Sequence, residues 1–342
     1  MKIKCYQDYR RIYHLYSAVS LLKCGISSFI ATLRAANSFG REEKLTILTF
    51  SIFPELTRVW YYFMEKVYQY LKNNGVTAKL LIVDCNGSLK KAYFPKAEVI
   101  KFINHTHPVK LDFFLKKIIG SEIVWVTDDD CFIFDLSVAL DYINKMADEK
   151  VAAYSFYPRP DWFFDFEGGK IRPMGSYCFL IKRKMLEKEN LSFNVLTKIN
   201  PHNGRHYDTA DYMNEVLLKR GYKINLPEDQ KRSAAIGGFR GSSIWKALAW
   251  GCNKRELEGY LSAPYSYDYN FRHIAKSFYI ADKVFELNKI LFTDFKKSSL
   301  FNGKEIKKYI EAMPENEIKP RILDDFAWVD DSYNEILKII RK

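Results

Sequence analysis

The chain is expected to be an α/β protein with an open, mostly parallel sheet covered by helices on both faces. Two observations point there. Four short, nearly continuous apolar runs (Leu45 to Phe50, Lys79 to Val83, Glu98 to Ile103 and Ile123 to Val126) are too short for helices and lack strict alternation, as strands buried on both faces do. Stretches with helical periodicity separate them, from Pro54 to Leu71 and from about Pro108 to Ile119.

Each element carries its own signals. Pro54 stands where a helix begins, and Asn73, Asn74 and Gly75 stand where it ends. In the second half, Val151 to Tyr157 and Ser176 to Ile181 read as strands. Thr209 to Arg220 reads as a helix closed by Gly221, with Tyr222 to Leu226 as an edge strand after it. Residues 228–275, rich in Gly, Ser and aromatics, suggest loops over a site, and helical pieces return from about Ile280, including Ser332 to Ile340. The expected organisation is an N-terminal helical extension over 1–43, a main domain over 44–280 and a C-terminal helical extension over 281–342.

Bulk properties narrow the function classes. The 342 residues suffice for a core without staples, and 48% hydrophobic with 27% charged residues is globular composition. The six cysteines show no C-x-x-C pair and no metal-type spacing, which favours a reducing, cytoplasmic setting. A net charge of +12 attracts polyanions: nucleic acid, an anionic membrane or a phosphorylated small molecule. No nucleic-acid-binding module is recognisable, so nucleic acid is not expected as a partner. Ile12 to Leu33 is interrupted by Lys23 and falls short of the roughly 20 apolar residues of a membrane span. With basic residues around it, that segment suits either peripheral contact with the inner face of an anionic membrane or packing on the domain.

The most informative feature is Asp128, Asp129 and Asp130 at the end of the fourth strand. Three adjacent carboxylates repel one another, and a hard divalent cation offsets that cost. If the strand stays extended, alternation puts Asp128 and Asp130 on one side and Asp129 on the other. A solvated acidic turn is the competing reading. Strands of such sheets present ligands at their carboxyl ends. Ser51 to Glu55, Asp84 to Ser88 and Asp128 to Asp130 should therefore gather on one rim.

The order Leu45 to Phe50, then Ile82-Val83-Asp84, then Trp125-Val126-Thr127-Asp128-Asp129-Asp130 resembles the nucleotide-sugar-binding half of GT-A glycosyltransferases, particularly inverting family 2 enzymes with a D-x-D motif. The resemblance implies a Rossmann-like mixed sheet and transfer of a sugar from a nucleoside-diphosphate sugar to the hydroxyl of a glycan, lipid or small molecule. It implies Mn2+ or Mg2+ held by Asp128 and Asp130, with His273 as a third ligand. It also implies donor contacts from Phe50, Ser51, Glu55, Asp84, Lys110, Asp128 and Asp129.

For the catalytic base it points to the start of a late helix before a Gly-Tyr pair. Here Asp211 precedes Gly221-Tyr222, with Asp208 as the rival. Lys110 reads equally well as an exposed helix lysine, Asp208 as a helix cap, and His273 competes with His202 and His206. Lys276 and Ser277 suit phosphate, and Gly237 to Ser243 suits a lid or acceptor loop. Trp162, Phe163, Phe164 and Tyr177 suit either an acceptor pocket or the core. The other classes that fit are a metal-dependent nucleotidyltransferase or phosphohydrolase, and a non-catalytic basic protein that binds membrane or nucleic acid.

Overall fold

The computed structural model describes residues 21–22, 24–25, 39–156, 164–166, 169–171, 174–194, 198–199, 207–227, 235–239, 269–296 and 303–342. Much of the expected N-terminal extension, Trp162 and Phe163, His202, His206 and the segment from Arg240 to Ser243 lie outside the described residues.

Eleven strands are described: β1 (Leu45–Ser51), β2 (Ala78–Asp84), β3 (Ala97–Lys101), β4 (Ile123–Thr127), β5 (Cys131–Ile133), β6 (Val151–Ser155), β7 (Phe164–Phe166), β8 (Gly169–Ile171), β9 (Cys178–Lys182), β10 (Lys223–Asn225) and β11 (Ile236–Gly238). The helices are α1 (Pro54–Asn73), α2 (His107–Phe113), α3 (Leu136–Lys145), α4 (Arg183–Lys188), α5 (Asp211–Lys219), α6 (Tyr269–Leu291), α7 (Gly303–Glu311) and α8 (Lys319–Ile340). Seven strands form one sheet in the order β10-β6-β9-β4-β1-β2-β3. Strands β1 to β4 are parallel where they pair, as are β6 and β10, while β9 runs antiparallel to both β4 and β6. This is the Rossmann-like mixed sheet that the sequence resemblance implies, with β10 on the edge as expected.

Residues along each strand alternate between two cores. Leu45, Ile47, Leu80, Ile82, Ile123 and Trp125 join the core packed by α1, whereas Leu48, Leu81, Val83, Val124 and Val126 join the one on the opposite face. Burial on both faces explains why the runs are continuously apolar, each fully buried aliphatic side chain contributing about 1.5–3 kcal/mol. Asn73–Gly75 ends α1 as expected, Gly75 at φ +78° being the left-handed residue there.

Several elements differ from the sequence reading. The helix before β4 keeps α geometry only to Phe113 and continues as a π turn over Phe114–Ile118. Helix α3 was not anticipated, although Asp135 caps it by accepting the Ser137 N–H at 2.9 Å. Helix α6 runs without a break across residue 280, so the expected domain boundary falls inside one helix. It packs on α1, α7 and α8, and Val284, Leu287, Ile322, Phe326 and Val329 are buried in the same core as the first face of the sheet.

Gly237 and Gly238, expected in a flexible loop, sit in β11 and pair antiparallel with Phe132 and Cys131 of β5. A Cβ on Gly237 would lie 2.2 Å from the Phe134 ring. A Cβ on Gly238 would lie 2.0 Å from the Asp130 carbonyl oxygen, and Gly238 has φ +117°. Close backbone approach is thus why glycine stands at both positions.

Gly238→Ala is therefore expected to destabilise the fold by at least about 2 kcal/mol, read as a lower urea midpoint at unchanged slope. An unchanged midpoint would show that the β5-β11 clasp is dispensable.

Candidate functional site

The acidic turn is built at the carboxyl end of β4, beside the end of β1. Strand geometry stops at Thr127, and Asp128, Asp129 and Asp130 enter a β-turn closed by the Cys131 N–H donating to the Asp128 carbonyl at 3.0 Å. The extended alternation expected for the triplet therefore does not hold, because the main chain is caught on both sides. The Asp128 N–H donates to the Tyr177 carbonyl at 2.7 Å, and the Phe239 N–H donates to the Asp130 carbonyl at 2.9 Å. Asp128 is partly exposed, while Asp129 and Asp130 are 7% and 1% exposed.

The Asp129 carboxylate turns inward and accepts the Thr57 hydroxyl at 3.1 Å. The Ser51 hydroxyl lies 2.5 Å from that same Thr57 oxygen. Thr57 has one proton and two acceptors, the Phe53 carbonyl at 2.9 Å and the Asp129 carboxylate, so it shares that proton between them while Ser51 donates to the Thr57 oxygen. This buried chain ties the ends of β1 and β4 to the second turn of α1. Ser51 and Asp129, expected as donor contacts, thus stand at the rim with these side chains engaged in the scaffold. Glu55 is buried at the start of α1, and its carbonyl accepts the Asn288 amide of α6 at 2.9 Å.

Asp84 ends β2 fully buried. Its carboxylate accepts the N–H groups of Asn86, Ser88 and Leu89 at 3.1, 3.3 and 3.0 Å. It shapes the loop that follows β2, an Asx-type role the sequence does not distinguish from ligand binding.

Lys110 is 4% exposed, which rules out the exposed helix lysine. Its ammonium reaches Asn104 Oδ1 at 3.3 Å and Cys85 Sγ at 3.6 Å and lies 5.1 Å from the Phe50 ring centroid. Burial pushes the Cys85 thiol up to about 11 despite that ammonium, so it stays protonated. Asp112, also in α2, accepts the Phe193 N–H at 3.0 Å and pairs with Lys116 at 3.1 Å.

The opposite wall is the segment from Met174 to Tyr177 and the start of α5. Asn214 clamps Met174, accepting its N–H at 2.9 Å and donating to its carbonyl at 3.2 Å. Ser155 donates to the Gly175 carbonyl at 3.2 Å. At the head of α5, Ala210 takes φ +70°, a left-handed conformation uncommon for residues other than glycine. Asp211 is 1% exposed, and its Oδ2 accepts the Asp208 N–H at 2.9 Å. Asp208 is exposed, with Oδ1 accepting the Thr209 N–H at 2.7 Å. Of the two candidate bases, only Asp208 faces solvent.

His107 bridges the two walls. Its ring meets Phe50 edge-on at 5.7 Å, the Ser176 backbone lies against it, and the negative charge of Asp208 acts on it. Burial, with the Lys110 charge added, lowers its pKa to about 4, so it is neutral near pH 7. His107 and Thr57 carried no assigned role from sequence, because nothing in the linear pattern shows which helix residues turn toward a strand end.

Carboxylate oxygens are the ligands a hard divalent cation takes, and Asp128, at the partly exposed corner of the turn, and Asp130, at its buried one, would supply them. Among the described residues no group of three His, Cys, Asp or Glu side chains closes on a point. The side chain of His273 lies outside the described residues, though its backbone belongs to α6. Lys276, expected near phosphate, instead sits 3.4 Å from Asp325 and over the Trp328 ring at 4.2 Å. Ser277 is fully buried. Among the described residues no helix is long and apolar enough to cross a membrane.

A neutral His107 stabilises the fold fully above about pH 6.5, the unfolded value, and progressively less as pH falls toward about 4. Urea denaturation across that window should show wild type losing up to about 1.4 kcal/mol per pH unit more than His107→Gln. Parallel pH profiles would show that His107 is not held neutral.

No family model matches the chain, and neither does any curated protein. Among solved structures, a mannosyltransferase from Pyrobaculum calidifontis in complex with GDP-Man and Mn2+ aligns over 94% of this chain and 99% of its own, at 12% identity and TM-score 0.42. The catalytic domain of Drosophila β1,4-galactosyltransferase 7, in complex with xylobiose, aligns over 57% of this chain and 69% of its own, at 12% identity and TM-score 0.34. The 4-diphosphocytidyl-2C-methyl-D-erythritol synthase of Anaerococcus prevotii aligns over 54% of this chain and 88% of its own, at 12% identity and TM-score 0.35. With TM-scores below 0.5, these similarities decide neither donor nor reaction.

Proposed function

We propose that the chain is a GT-A glycosyltransferase that moves a sugar from a nucleoside-diphosphate donor to an acceptor hydroxyl, with Mn2+ or Mg2+ at Asp128 and Asp130. The observation that carries this reading is the convergence at one sheet rim. The acidic turn after β4 is linked through Thr57 to the end of β1 and bonded to Tyr177, and the nearby Met174 is clamped by Asn214 of α5, the helix that the exposed Asp208 precedes. An anionic diphosphate at the turn and a proton acceptor opposite are what displacement at an anomeric carbon requires.

A bound Mn2+ or Mg2+ supplies charge neutralisation for the departing diphosphate. Asp128, the partly exposed member of the triplet, faces the donor, while Asp129 keeps the turn registered on α1. Lys110 sits as a buried ammonium beside Phe50, and its charge favours an anionic ligand at that end of the sheet.

The preference from sequence was Asp211 as base. The structure supports Asp208 instead, because a base must reach the acceptor hydroxyl and Asp211 is buried holding the Asp208 main chain. In the reaction the acceptor oxygen bonds to the anomeric carbon and the bond to the diphosphate oxygen breaks. The hydroxyl proton passes to Asp208, and because a single displacement attacks the face opposite the departing diphosphate, configuration inverts. The +12 charge supports an anionic partner, either the donor alone or also a membrane surface that presents the acceptor.

Thermal shift against a panel of UDP- and GDP-sugars should give Mn2+-dependent stabilisation by one donor, lost in Asp130→Ala. Asp208→Asn should retain donor binding and lose at least about 100-fold in turnover. A flat panel would remove the reading, and a fully active Asp208→Asn would return the base to Asp211.

A further inference from the structure

A short stretch near the N-terminus docks on the strand ends and turns apolar side chains outward. Leu21, Leu22 and Cys24 are helical, and the buried Cys24 thiol reaches the Phe102 carbonyl at 3.3 Å and the Asp84 carbonyl at 3.8 Å. Phe102 directly follows β3 and Asp84 ends β2, so the stretch rests on the rim. At about 100° per residue, Leu22 falls about 160° around the helix from Cys24. It is 84% exposed, and Leu21 beside it 53%. Five large hydrophobic side chains are exposed among the described residues, and this one stretch supplies two of them.

Positive charge is concentrated around the same leucines. Residues 1–41 hold seven Lys and Arg, with Lys23 directly after the pair, against one acidic residue, Asp8. Half of the +12 net charge thus falls in about an eighth of the sequence. Where the stretch docks, Lys101 directly before Phe102 is exposed, as are Lys90 and Lys91 on the loop after β2. An apolar pair alone suits a groove on another protein, and cations alone suit any polyanion. Leucines flanked by cations suit a surface that is anionic outside and apolar beneath, which is a bilayer containing acidic lipids. Nucleic acid answers the cations, but its bases stack on aromatic rather than aliphatic side chains.

We propose that Leu21 and Leu22 form the contact by which the protein binds an anionic lipid surface. The leucines enter the headgroup layer, and the basic residues that flank them in sequence pair with acidic headgroups. Because the stretch rests on the ends of β2 and β3, the bilayer lies on the rim side of the sheet. This contact does not depend on the glycosyltransferase reading.

The test is co-sedimentation of the full chain with phosphatidylcholine vesicles, with and without about 30% phosphatidylglycerol, for wild type, the double variant Leu21→Ser with Leu22→Ser, and Leu22→Phe. Wild type should bind the acidic vesicles at least about tenfold more tightly than the neutral ones, and that preference should shrink as salt rises. The double serine variant should bind the acidic vesicles at least about tenfold more weakly, whereas Leu22→Phe should bind like wild type. Both side chains are exposed, so the serine variant should melt at the wild-type temperature, which separates a lost contact from misfolding. Acidic-vesicle binding that the serine variant keeps in full would overturn the proposal, as would no preference for acidic vesicles. In the second case, a dimer that the serine variant abolishes would assign the leucines to another copy of the chain. Binding to single-stranded DNA that the serine variant retains would instead assign the cations to nucleic acid.

Discussion

Three carboxylates in one β-turn repel each other, and the rest of the rim is arranged around making that tolerable. Asp129 is relieved by the Ser51–Thr57 hydroxyl chain. The main chain of Asp130 is gripped by Phe239, through a β11 strand whose glycines let it come close. Asp128 keeps access to solvent. Repulsion is thus partly absorbed by the scaffold, and under the proposed function a divalent cation at Asp128 and Asp130 would offset what remains.

The same division between scaffold and ligand runs around the site. Asp84, Asp112, Asn214 and Asp211 each bind a backbone group of a neighbouring loop, holding the loops in place. Asp208 stays exposed at the head of α5, its main chain held by Asp211. The left-handed Ala210 directly before α5 is a local cost of roughly 1–3 kcal/mol, and it sets the point at which the chain turns from Asp208 into the helix.

Much of the fold was legible in the residues because both faces of the central sheet are buried. Continuous apolar runs such as Leu45–Phe50 and Ile123–Val126 can hardly be anything but interior strands. The site was legible only as a place. The triplet marked the rim, but whether strand geometry continued through it depended on Phe239 and Tyr177, distant in sequence. Asp84 looked like a ligand contact because an acidic strand end is the same string of letters whether it binds a base or caps its own loop. Gly237-Gly238 read as flexibility, whereas contact with Phe134 and Asp130 makes both glycines steric requirements. The end of the main domain could not be placed either, since α6 is one amphipathic helix across residue 280 and its apolar face covers α1.

The central claim is that a divalent cation and a diphosphate meet at the acidic turn. Crystals grown with Mn2+ and a nucleoside diphosphate, measured at the manganese absorption edge, test it directly. The account predicts one anomalous peak within about 2.0–2.6 Å of carboxylate oxygens of Asp128 and Asp130, bridged to the diphosphate. A peak elsewhere, or none with the nucleotide bound, would contradict it.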